Sequence, residues 1–418
     1  MFGVNDKLVI GYDLSNEYAQ ISFSHQNEET LQMVSLIEGA EQYNIPACLF
    51  KRNGINQWFF GKDAEAYSNV EEGFMITNLL EQALIGEEVS VEETYFDPIA
   101  LLTLFVKRSL SLVGDGTLKG KIAGIMFSVP NLNGRTIAVL NQLASLLDLK
   151  ETPIYFQGRE ESIYHFQIHQ AKELWKQDVM VYDFTLHNMK SYHFFQNKHT
   201  KPVVVFVEAV THEEAVQSET ATLDMVFKGI IDRTTQGKEI SSAYLIGDGF
   251  AGDWCKESLR ILCHNRRVFR GNNLYSKGAC YSMQERLRTE REPAERIFLG
   301  KDKLKANVGM NVVRKQVASY LALLNGGENW YDSKKECDII LPLGNAFSIM
   351  ITPLDGRNVK TVEVELQGLP MREEKTTRLH LTVSMEAENI VRIQVKDMGF
   401  GEIIPSTGQI FTQEITLY

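Results

Sequence analysis

Two stretches of the chain, residues 8–23 and 179–195, share one layout of hydrophobic and polar positions. In each, an apolar run ends in an aspartate, Asp13 in the first and Asp183 in the second, a polar break follows, and apolar residues then resume. This layout predicts strand, tight turn, strand. A carboxylate at the end of a buried strand is costly unless it faces a cleft, a cation or hydrogen-bond donors. With a third strand after each hairpin (30–37 and 203–210), the pattern predicts a duplicated fold whose two aspartates share a cleft.

The hydrophobic periodicity between and after these hairpins predicts alternating helices and strands. Residues 45–62 read as a hairpin, because Asn53-Gly54 is a strong turn signal. Asp97 and Pro98 are typical of the start of a helix. The predicted helices are 63–70, 98–112, 133–147, 160–174, 220–232 and 254–262, and the predicted strands are 122–129, 153–156 and 243–246. This order indicates a mixed α/β domain over residues 1–282.

The pattern changes after residue 282. Residues 283–336 begin with a densely charged run and are predicted to form a charged helical connector, with a further helix at Val312–Leu324. From Cys337 to Tyr418 the apolar residues alternate with polar ones in six short segments, which predicts a small antiparallel β-sandwich. Turn signals separate these segments at Asp355-Gly356, Gly368-Leu369-Pro370 and Met398-Gly399.

Composition and net charge argue against several classes of protein. The chain has 418 residues and a net charge of −11, which argues against nucleic acid or a membrane surface as a general partner. No apolar run approaches the length of a membrane span, and the first residues lack the layout of a signal peptide. The five cysteines contain no CxxC pair and read as reduced core residues, which indicates a cytoplasmic protein.

Several motifs, in this order, resemble the superfamily of actin, sugar kinases and DnaK-type chaperone ATPases, and the DnaK branch most closely. They are IGYDLSNEYAQIS, IPACLFKR with WFFGKDA, IAGIMFSVPNLNGRTIAVLNQLASLLDL, VMVYDFTLHNMKSYHF, SAYLIGDGFAGDWCKESLRIL, and, near the C-terminus, VELQGLP with LHLTVSMEAENIVRIQVKDMGFGE. The resemblance implies an actin/DnaK-like duplicated ATPase fold, two βββαβα-type halves around a cleft, followed by part of a chaperone-like β-sandwich.

The resemblance also implies roles for particular residues. Asp13 and Asp183 would hold the water ligands of a Mg²⁺ ion. Nucleotide would lie against two phosphate loops, at Ser15 and Thr185, and against an adenosine-binding turn. That turn corresponds to Gly247 and Gly249.

An acid beside the attacking water is also part of the family pattern. Glu160 or Glu161 would take this catalytic role. The alternative is that both glutamates simply open a helix, whose positive end favours acids. His165 and His169, four residues apart on the same predicted helix, are interpreted as a solvated face.

The departures from the family pattern matter more than the matches. Family loops carry glycines whose backbone N–H groups wrap the phosphates, whereas Leu14–Glu17 and Phe184–Asn188 contain none, and Glu17 adds a negative charge. Only 64 residues separate Asp183 from Gly247, too few for the subdomain that covers the adenine in the chaperones.

These departures favour a non-catalytic chaperone-like or scaffold protein built on a degenerate ATPase fold, with a protein or an extended polypeptide as its partner. No cofactor is expected. The alternatives are a divergent Mg-dependent ATPase, which would bind Mg-ATP, and a kinase of the same superfamily.

Overall fold

The protein is described by a computed structural model over residues 7–26, 28, 30–37, 39–114, 120–149, 151–185, 188–198, 200–288, 295–354 and 357–417. It divides into two compact units, Met1–Arg296 and Ile297–Tyr418. The described residues form several sheets and nine α-helices, so the mixed α/β class is confirmed. Within the same residues, no helix has both the length and the apolar character that crossing a bilayer requires.

The first half of unit one is built on a twisted sheet with an inserted segment. Its elements are β1 (Leu8–Leu14), β2 (Tyr18–His25), β3 (Gln32–Met33), β4 (Ile45–Pro46), β5 (Leu49–Arg52), β6 (Trp58–Phe60), α1 (Gly61–Ser68), β7 (Gly73–Ile76), α2 (Leu79–Ile85), β8 (Val89–Val91), β9 (Thr94–Phe96), α3 (Pro98–Leu110), β10 (Ile122–Val129), α4 (Gly134–Leu146), β11 (Ile154–Gly158) and α5 (Arg159–Ile168). The main sheet has the order β11-β10-β1-β2-β3. Strands β1, β10 and β11 are parallel, and β1, β2 and β3 are antiparallel.

The second half repeats this order with fewer insertions. Its elements are β12 (Asp178–Phe184), β13 (Met189–Asn197), β14 (Val203–Thr211), α6 (Glu213–Val216), α7 (Thr220–Thr235), β15 (Ile240–Ile246), α8 (Lys256–Leu262), β16 (Arg267–Arg270) and α9 (Leu274–Leu287). Five strands run in the order β16-β15-β12-β13-β14, with β12, β15 and β16 parallel and β12, β13 and β14 antiparallel. Both aspartate-ended strands, β1 and β12, are therefore central.

Two of the predicted helices, α3 and α4, begin at residues whose side chains cap them. The Asp97 carboxylate accepts a hydrogen bond from the Ile99 backbone N–H at 2.9 Å, and the Asn133 side chain accepts one from Thr136 at 3.0 Å. Such caps satisfy backbone donors that the first helical turn leaves unpaired. The expected reduced core cysteines hold for Cys48, Cys255 and Cys280, whereas Cys263 is exposed and Cys337 half-buried; all five are free thiols.

The last helices of the two halves, α5 and α9, cross each other at close range. A Cβ atom placed on Gly278 of α9 would lie 1.8 Å from the Ser162 carbonyl oxygen of α5. Helix α9 also lies against β1, where the Cys280 thiol donates a hydrogen bond to the Val9 carbonyl at 3.4 Å. Helix α5 contacts the second sheet through Phe166, whose ring centroid is 5.7 Å from that of Tyr244. The two helices thus tie the halves of unit one together.

Unit two is a pair of antiparallel sheets around one core. After β17 (Arg296–Leu299), its strands are β18 (Ala306–Arg314), β19 (Val317–Leu324), β20 (Lys334–Leu341), β21 (Ala346–Pro353), β22 (Lys360–Glu365), β23 (Thr377–Ala387), β24 (Ile390–Asp397) and β25 (Ile410–Thr416). One sheet has the order β19-β18-β21-β22 and the other β20-β23-β24-β25. Apolar side chains from both sheets form a single buried cluster. The six strands expected after residue 337 are all present.

The helix predicted at Val312–Leu324 is wrong, because this segment forms a β-hairpin. Strand β18 turns at Lys315 and Gln316, which both have positive φ, and returns as β19. Apolar residues in this segment are spaced three and four apart as well as two apart, so helix and strand periods both fit it. Among the described residues of 283–336, where a charged helical connector was expected, lie the end of α9, strands β17, β18 and β19 and the start of β20. Residues 289–294 lie outside the described residues. The Asp355-Gly356 turn lies outside the described residues.

Candidate functional site

Asp13, at the end of β1, is held by an arginine that the sequence did not single out. The Arg159 Nε donates to Asp13 Oδ1 at 3.0 Å and Nη2 donates to Oδ2 at 2.8 Å. Asp13 has no exposed surface, and Arg159 is 8 % exposed. Because paired hydrogen bonds between a guanidinium and a carboxylate use both oxygens at once, this is a strong and geometrically specific contact.

Asp183, at the end of β12, joins the same group of side chains. Its Oδ2 accepts a hydrogen bond from the Tyr275 hydroxyl of α9 at 2.5 Å. The Arg159 guanidinium lies over the Tyr275 ring, 4.4 Å from the centroid, in a cation–π contact. Asp13, Arg159, Tyr275 and Asp183 therefore form one continuous buried cluster, called the Asp–Arg–Tyr–Asp cluster below, with members from both halves of unit one.

Burial and neighbouring charges shift the pKa values of the groups in this cluster in opposite directions. Burial raises the pKa of Asp13 above its usual range, and the Arg159 guanidinium opposes that rise. Burial likewise raises the pKa of Asp183, opposed by Arg159 and by the Tyr275 hydroxyl. Burial alone would lower the pKa of Arg159, but Asp13 above all raises it well above its usual value. One guanidinium charge therefore compensates carboxylates that have been taken out of water.

Two further tyrosines, Tyr18 and Tyr192, lie near the cluster. Burial raises the pKa of Tyr18, which also interacts electrostatically with Arg159, Asp13 and Asp183. Burial raises the pKa of Tyr192 as well, and this side chain interacts with Asp183 and hydrogen-bonds Tyr275. Both tyrosines therefore lie near enough to interact with the charges of the cluster.

The predicted loop residues Ser15 and Thr185 are engaged in their own turns. Ser15 Oγ donates to the Tyr18 carbonyl at 2.8 Å and accepts from the Tyr18 backbone N–H at 3.2 Å. Thr185 Oγ1 donates to the Asn188 carbonyl at 3.3 Å. Both hydroxyls close hairpins, which is a common use of Ser and Thr in turns. His187, in the second loop, lies outside the described residues.

Gly247 and Gly249 form the turn that follows β15, and they pack against Phe184. Gly247 has a φ of +95°, and a Cβ atom there would lie 2.3 Å from the Phe184 carbonyl oxygen and 3.0 Å from Asp183 Oδ1. A Cβ atom on Gly249 would lie 2.5 Å from the Phe184 ring. The glycines are needed because the turn approaches the end of β12 so closely.

A polar bridge spans the two halves near this turn. Asn44 Nδ2 donates to Asp248 Oδ2 at 3.2 Å, and the Asn44 side-chain carbonyl accepts from Gln20 Nε2 at 2.5 Å. Asn44 belongs to the first half and Asp248 to the second. The sequence did not predict this contact, since it depends on how the halves meet.

The candidate catalytic acids differ in their surroundings. Glu161 is 4 % exposed and its Oε1 lies 3.6 Å from His165 Nε2, while Glu285 Oε2 lies 3.1 Å from His165 Nδ1. Burial lowers the pKa of His165, but hydrogen bonds and charge attraction from the two glutamates raise it to about 9. Glu161 is thus part of the α5–α9 contact. Glu160 is half-buried, opens α5, and interacts electrostatically with Tyr192.

The prediction of a solvated face at His165 and His169 is wrong, because this face meets α9. The His169 ring stacks on Tyr281 with centroids 4.1 Å apart, and its Nε2 lies 3.6 Å from Glu285. In the described part of the chain, no three His, Cys, Asp or Glu side chains are grouped so as to hold a metal ion.

Arg159 is the main functional residue that sequence reasoning missed, although a signal for it exists. Strands β1, β10 and β11 are parallel, so their carboxyl ends meet at one edge of the sheet. Arg159 directly follows β11, two strands or about 10 Å from Asp13, a distance that the arginine and aspartate side chains bridge together. Tyr275 carried no comparable signal, because α9 was not predicted before residue 283.

Comparison with known proteins places the chain among families without an assigned activity. Residues 303–417 match a family described as a domain of unknown function, DUF8552. No curated protein matches the chain. Residues 30–301, more than half of the chain, match the model described as the C-terminal part of a family of unknown function, DUF5716. The chain therefore belongs to the DUF5716 family.

Proposed function

We propose that this chain is a non-catalytic chaperone-like or scaffold protein built on a degenerate, duplicated actin/DnaK-like fold. The duplicated fold is supported by the two largest sheets of unit one, in which five strands share the same order and the same parallel and antiparallel neighbours. It is also supported by the convergence of Asp13 and Asp183, the next-to-last residues of equivalent strands, on one cluster.

The single observation that carries the non-catalytic part is the paired hydrogen bond from Arg159 to Asp13. Both Asp13 oxygens receive donors from a guanidinium that stays protonated in proteins. A Mg²⁺ ion that bound through water would need those oxygens as acceptors. Arg159 already supplies the positive charge, and the residues present therefore do not fit a Mg-nucleotide.

The surrounding loops support the same proposal. Tyr18 and Tyr192 add bulky aromatic side chains near the charges of the cluster, and the hydroxyls of Ser15 and Thr185 are used within their own turns. Between β14 and α7 there is only the four-residue helix α6, which leaves no counterpart to the insertion over residues 34–97 of the first half.

The interaction part of the proposal is supported by unit two. Strands β19 and β22 end one of its sheets, and β20 and β25 end the other. Edge strands carry backbone groups that another extended chain can pair with. A protein or an extended polypeptide is therefore the proposed partner.

The nucleotide part is tested by thermal unfolding of the full chain with millimolar Mg-ATP, Mg-ADP, and ATP plus a chelator. We expect no change in melting temperature with any of them, and no phosphate release. A ligand present at one hundred times its Kd would stabilise the protein by about 2.7 kcal/mol, which such an experiment detects readily.

Two variants show whether any effect of Mg-ATP on the melting temperature depends on the cluster. Asp13→Asn alters the cluster, and Asp253→Asn makes the same charge change at an exposed aspartate outside it. A stabilisation by Mg-ATP that is lost in Asp13→Asn and kept in Asp253→Asn would contradict the proposal and favour the divergent Mg-dependent ATPase.

A further inference from the structure

The hairpin of β18 and β19 ends in an arm whose side chains are almost all exposed. Val313 is 76 % exposed and Val317 65 % exposed. They flank the basic tip Arg314-Lys315, and residues 313–320 are all exposed. Exposed β-branched residues on a sheet edge invite pairing with another surface. The arm therefore carries two apolar side chains and two positive charges without an internal surface to cover them.

The backbone of the tip is held in an uncommon conformation. Lys315 and Gln316 have φ values of 50° and 63°, which fit a tight two-residue hairpin turn. Residues other than Gly, Asn and Asp seldom adopt such values, and strained positions of this kind concentrate at functional segments. The turn displays the Lys315 side chain at the end of the arm.

A cleft of about 440 Å³ lies at the opposite side of the same unit, between β22 and β25. Glu363 and Glu365 line it from β22, and Phe411 and Gln413 line it from β25. Ile393, fully buried, contributes to its apolar floor. Cavities of about 300–1,000 Å³ are of the size that bound groups occupy.

The charges of the arm and of the cleft are complementary and otherwise unused. In the described residues, none of the side chains of Arg314, Lys315, Glu363 and Glu365 forms an ion pair within 4.0 Å. Strands β19 and β22 are the two edges of one four-stranded sheet. Because the arm and the cleft flank opposite edges, the arm cannot enter the cleft of its own unit.

We propose that the β18–β19 arm of one copy of this chain docks into the β22–β25 cleft of a second copy. Val317 meets the apolar floor. Arg314, which pairs with Val317 and so lies on the same face of the hairpin, meets Glu363 and Glu365 together with Lys315 at the tip. Such a contact joins two different surfaces, so each copy retains one free arm and one free cleft, and association continues head to tail. This self-association goes beyond the proposed function and does not depend on whether nucleotide binds.

The test is sedimentation of the full chain over a concentration series at low and high salt. We expect average mass to rise with concentration and the association to weaken as salt increases, because the contact is between exposed charges. A chain that remains monomeric at every concentration would overturn the proposal.

Charge-reversal variants locate the contact. Arg314→Glu with Lys315→Glu reverses the charge of the arm and is called the donor variant. Glu363→Lys with Glu365→Lys reverses the charge of the cleft and is called the acceptor variant. Each is expected to weaken self-association about tenfold or more. Lys301→Glu with Lys375→Glu makes the same charge change as the donor variant, but at two exposed lysines outside the arm and the cleft. This control is expected to associate like the unaltered chain. Equal loss in all three variants would refute the contact in favour of a general charge effect.

Mixing the two charge-reversal variants is the most decisive part of the experiment, because association in the mixture requires both variants to be folded. The donor variant keeps an intact cleft and the acceptor variant keeps an intact arm. In an equimolar mixture the intact arm meets the intact cleft and the reversed arm meets the reversed cleft, so association should return towards that of the unaltered chain. Absence of restored association in the mixture while the unaltered chain associates would overturn the proposal.

Discussion

At the scale of single residues, Arg159 holds together the buried cluster at the centre of unit one. The guanidinium binds Asp13 with two hydrogen bonds and lies over Tyr275, which in turn binds Asp183. Removing one partner of a buried ion pair leaves an uncompensated charge and costs about 3–5 kcal/mol, whereas replacing both partners with apolar residues is often neutral.

We therefore predict that Arg159→Met lowers the free energy of unfolding by about 3–5 kcal/mol. Asp13→Leu combined with Arg159→Met should cost less than Arg159→Met alone, although it carries one more substitution. Urea unfolding measures both. The control is Arg233→Met, since Arg233 is exposed and pairs with Glu214 at the surface; its effect should stay within about 0.5 kcal/mol. Equal costs at Arg159 and Arg233 would rule out a buried pair.

The sequence predicted the aspartates of this cluster but not their partners, for a physical reason. Asp13 and Asp183 end apolar runs, and that pattern is local. The ion pair with Arg159 joins residues 146 positions apart, and the Tyr275 hydrogen bond joins residues 92 positions apart. Contacts at such separations depend on the packing of finished elements, so only a topology argument about neighbouring strand ends can anticipate them.

At the scale of elements, the crossing of α5 and α9 holds the two halves of unit one together. The helices approach so closely that Gly278 faces the Ser162 backbone with no room for a side chain. This crossing also buries Glu161 and His165 against Glu285. Small residues at a helix crossing permit such an approach, and an added methyl group forces the helices apart.

We predict opposite effects for the same substitution at two helical glycines. Gly278→Ala should destabilise the protein by about 1–3 kcal/mol, because the added carbon overlaps the Ser162 carbonyl. Gly229→Ala, on α7, should stabilise it by about 0.5–1 kcal/mol, because its nearest atom is the end of the Arg233 side chain at 3.7 Å. Thermal unfolding of the two variants compares them directly, and a stabilising Gly278→Ala would disprove the tight crossing.

Elements with a single clear period were predicted well, and those with mixed signals were not. Helix α3 begins at Pro98 as expected from Asp97, and the alternating strands after residue 337 are present. The β18–β19 hairpin was mistaken for a helix, since its turn residues, Lys315 and Gln316, are not among those that usually mark a hairpin turn. Helix α9 was not predicted before residue 283, because Ser276, Gly278 and Ser282, buried against other elements, interrupt its apolar stripe.

At the scale of the whole molecule, the chain has two units with separate cores. The largest cluster of buried apolar residues in unit one draws on β1, β10 and the helices beside them. The core of unit two is built from residues between Leu304 and Leu417. Unit two also contains its own buried ion pair, Arg372 with Asp397, in which two guanidinium nitrogens each donate at 2.7 Å. Units with independent cores need not unfold in one transition.

We predict two unfolding transitions by calorimetry, each sensitive to a different variant. Asp397→Asn should lower the temperature of one transition only, because Asp397 is fully buried and accepts hydrogen bonds from Arg372, Gly399 and Thr407 within unit two. Arg159→Met should lower only the other, because its partners all lie in unit one. Arg233→Met should shift neither. If Asp397→Asn and Arg159→Met both displaced one and the same transition, the units would be unfolding as a single cooperative body, and the assignment of separate cores would fail.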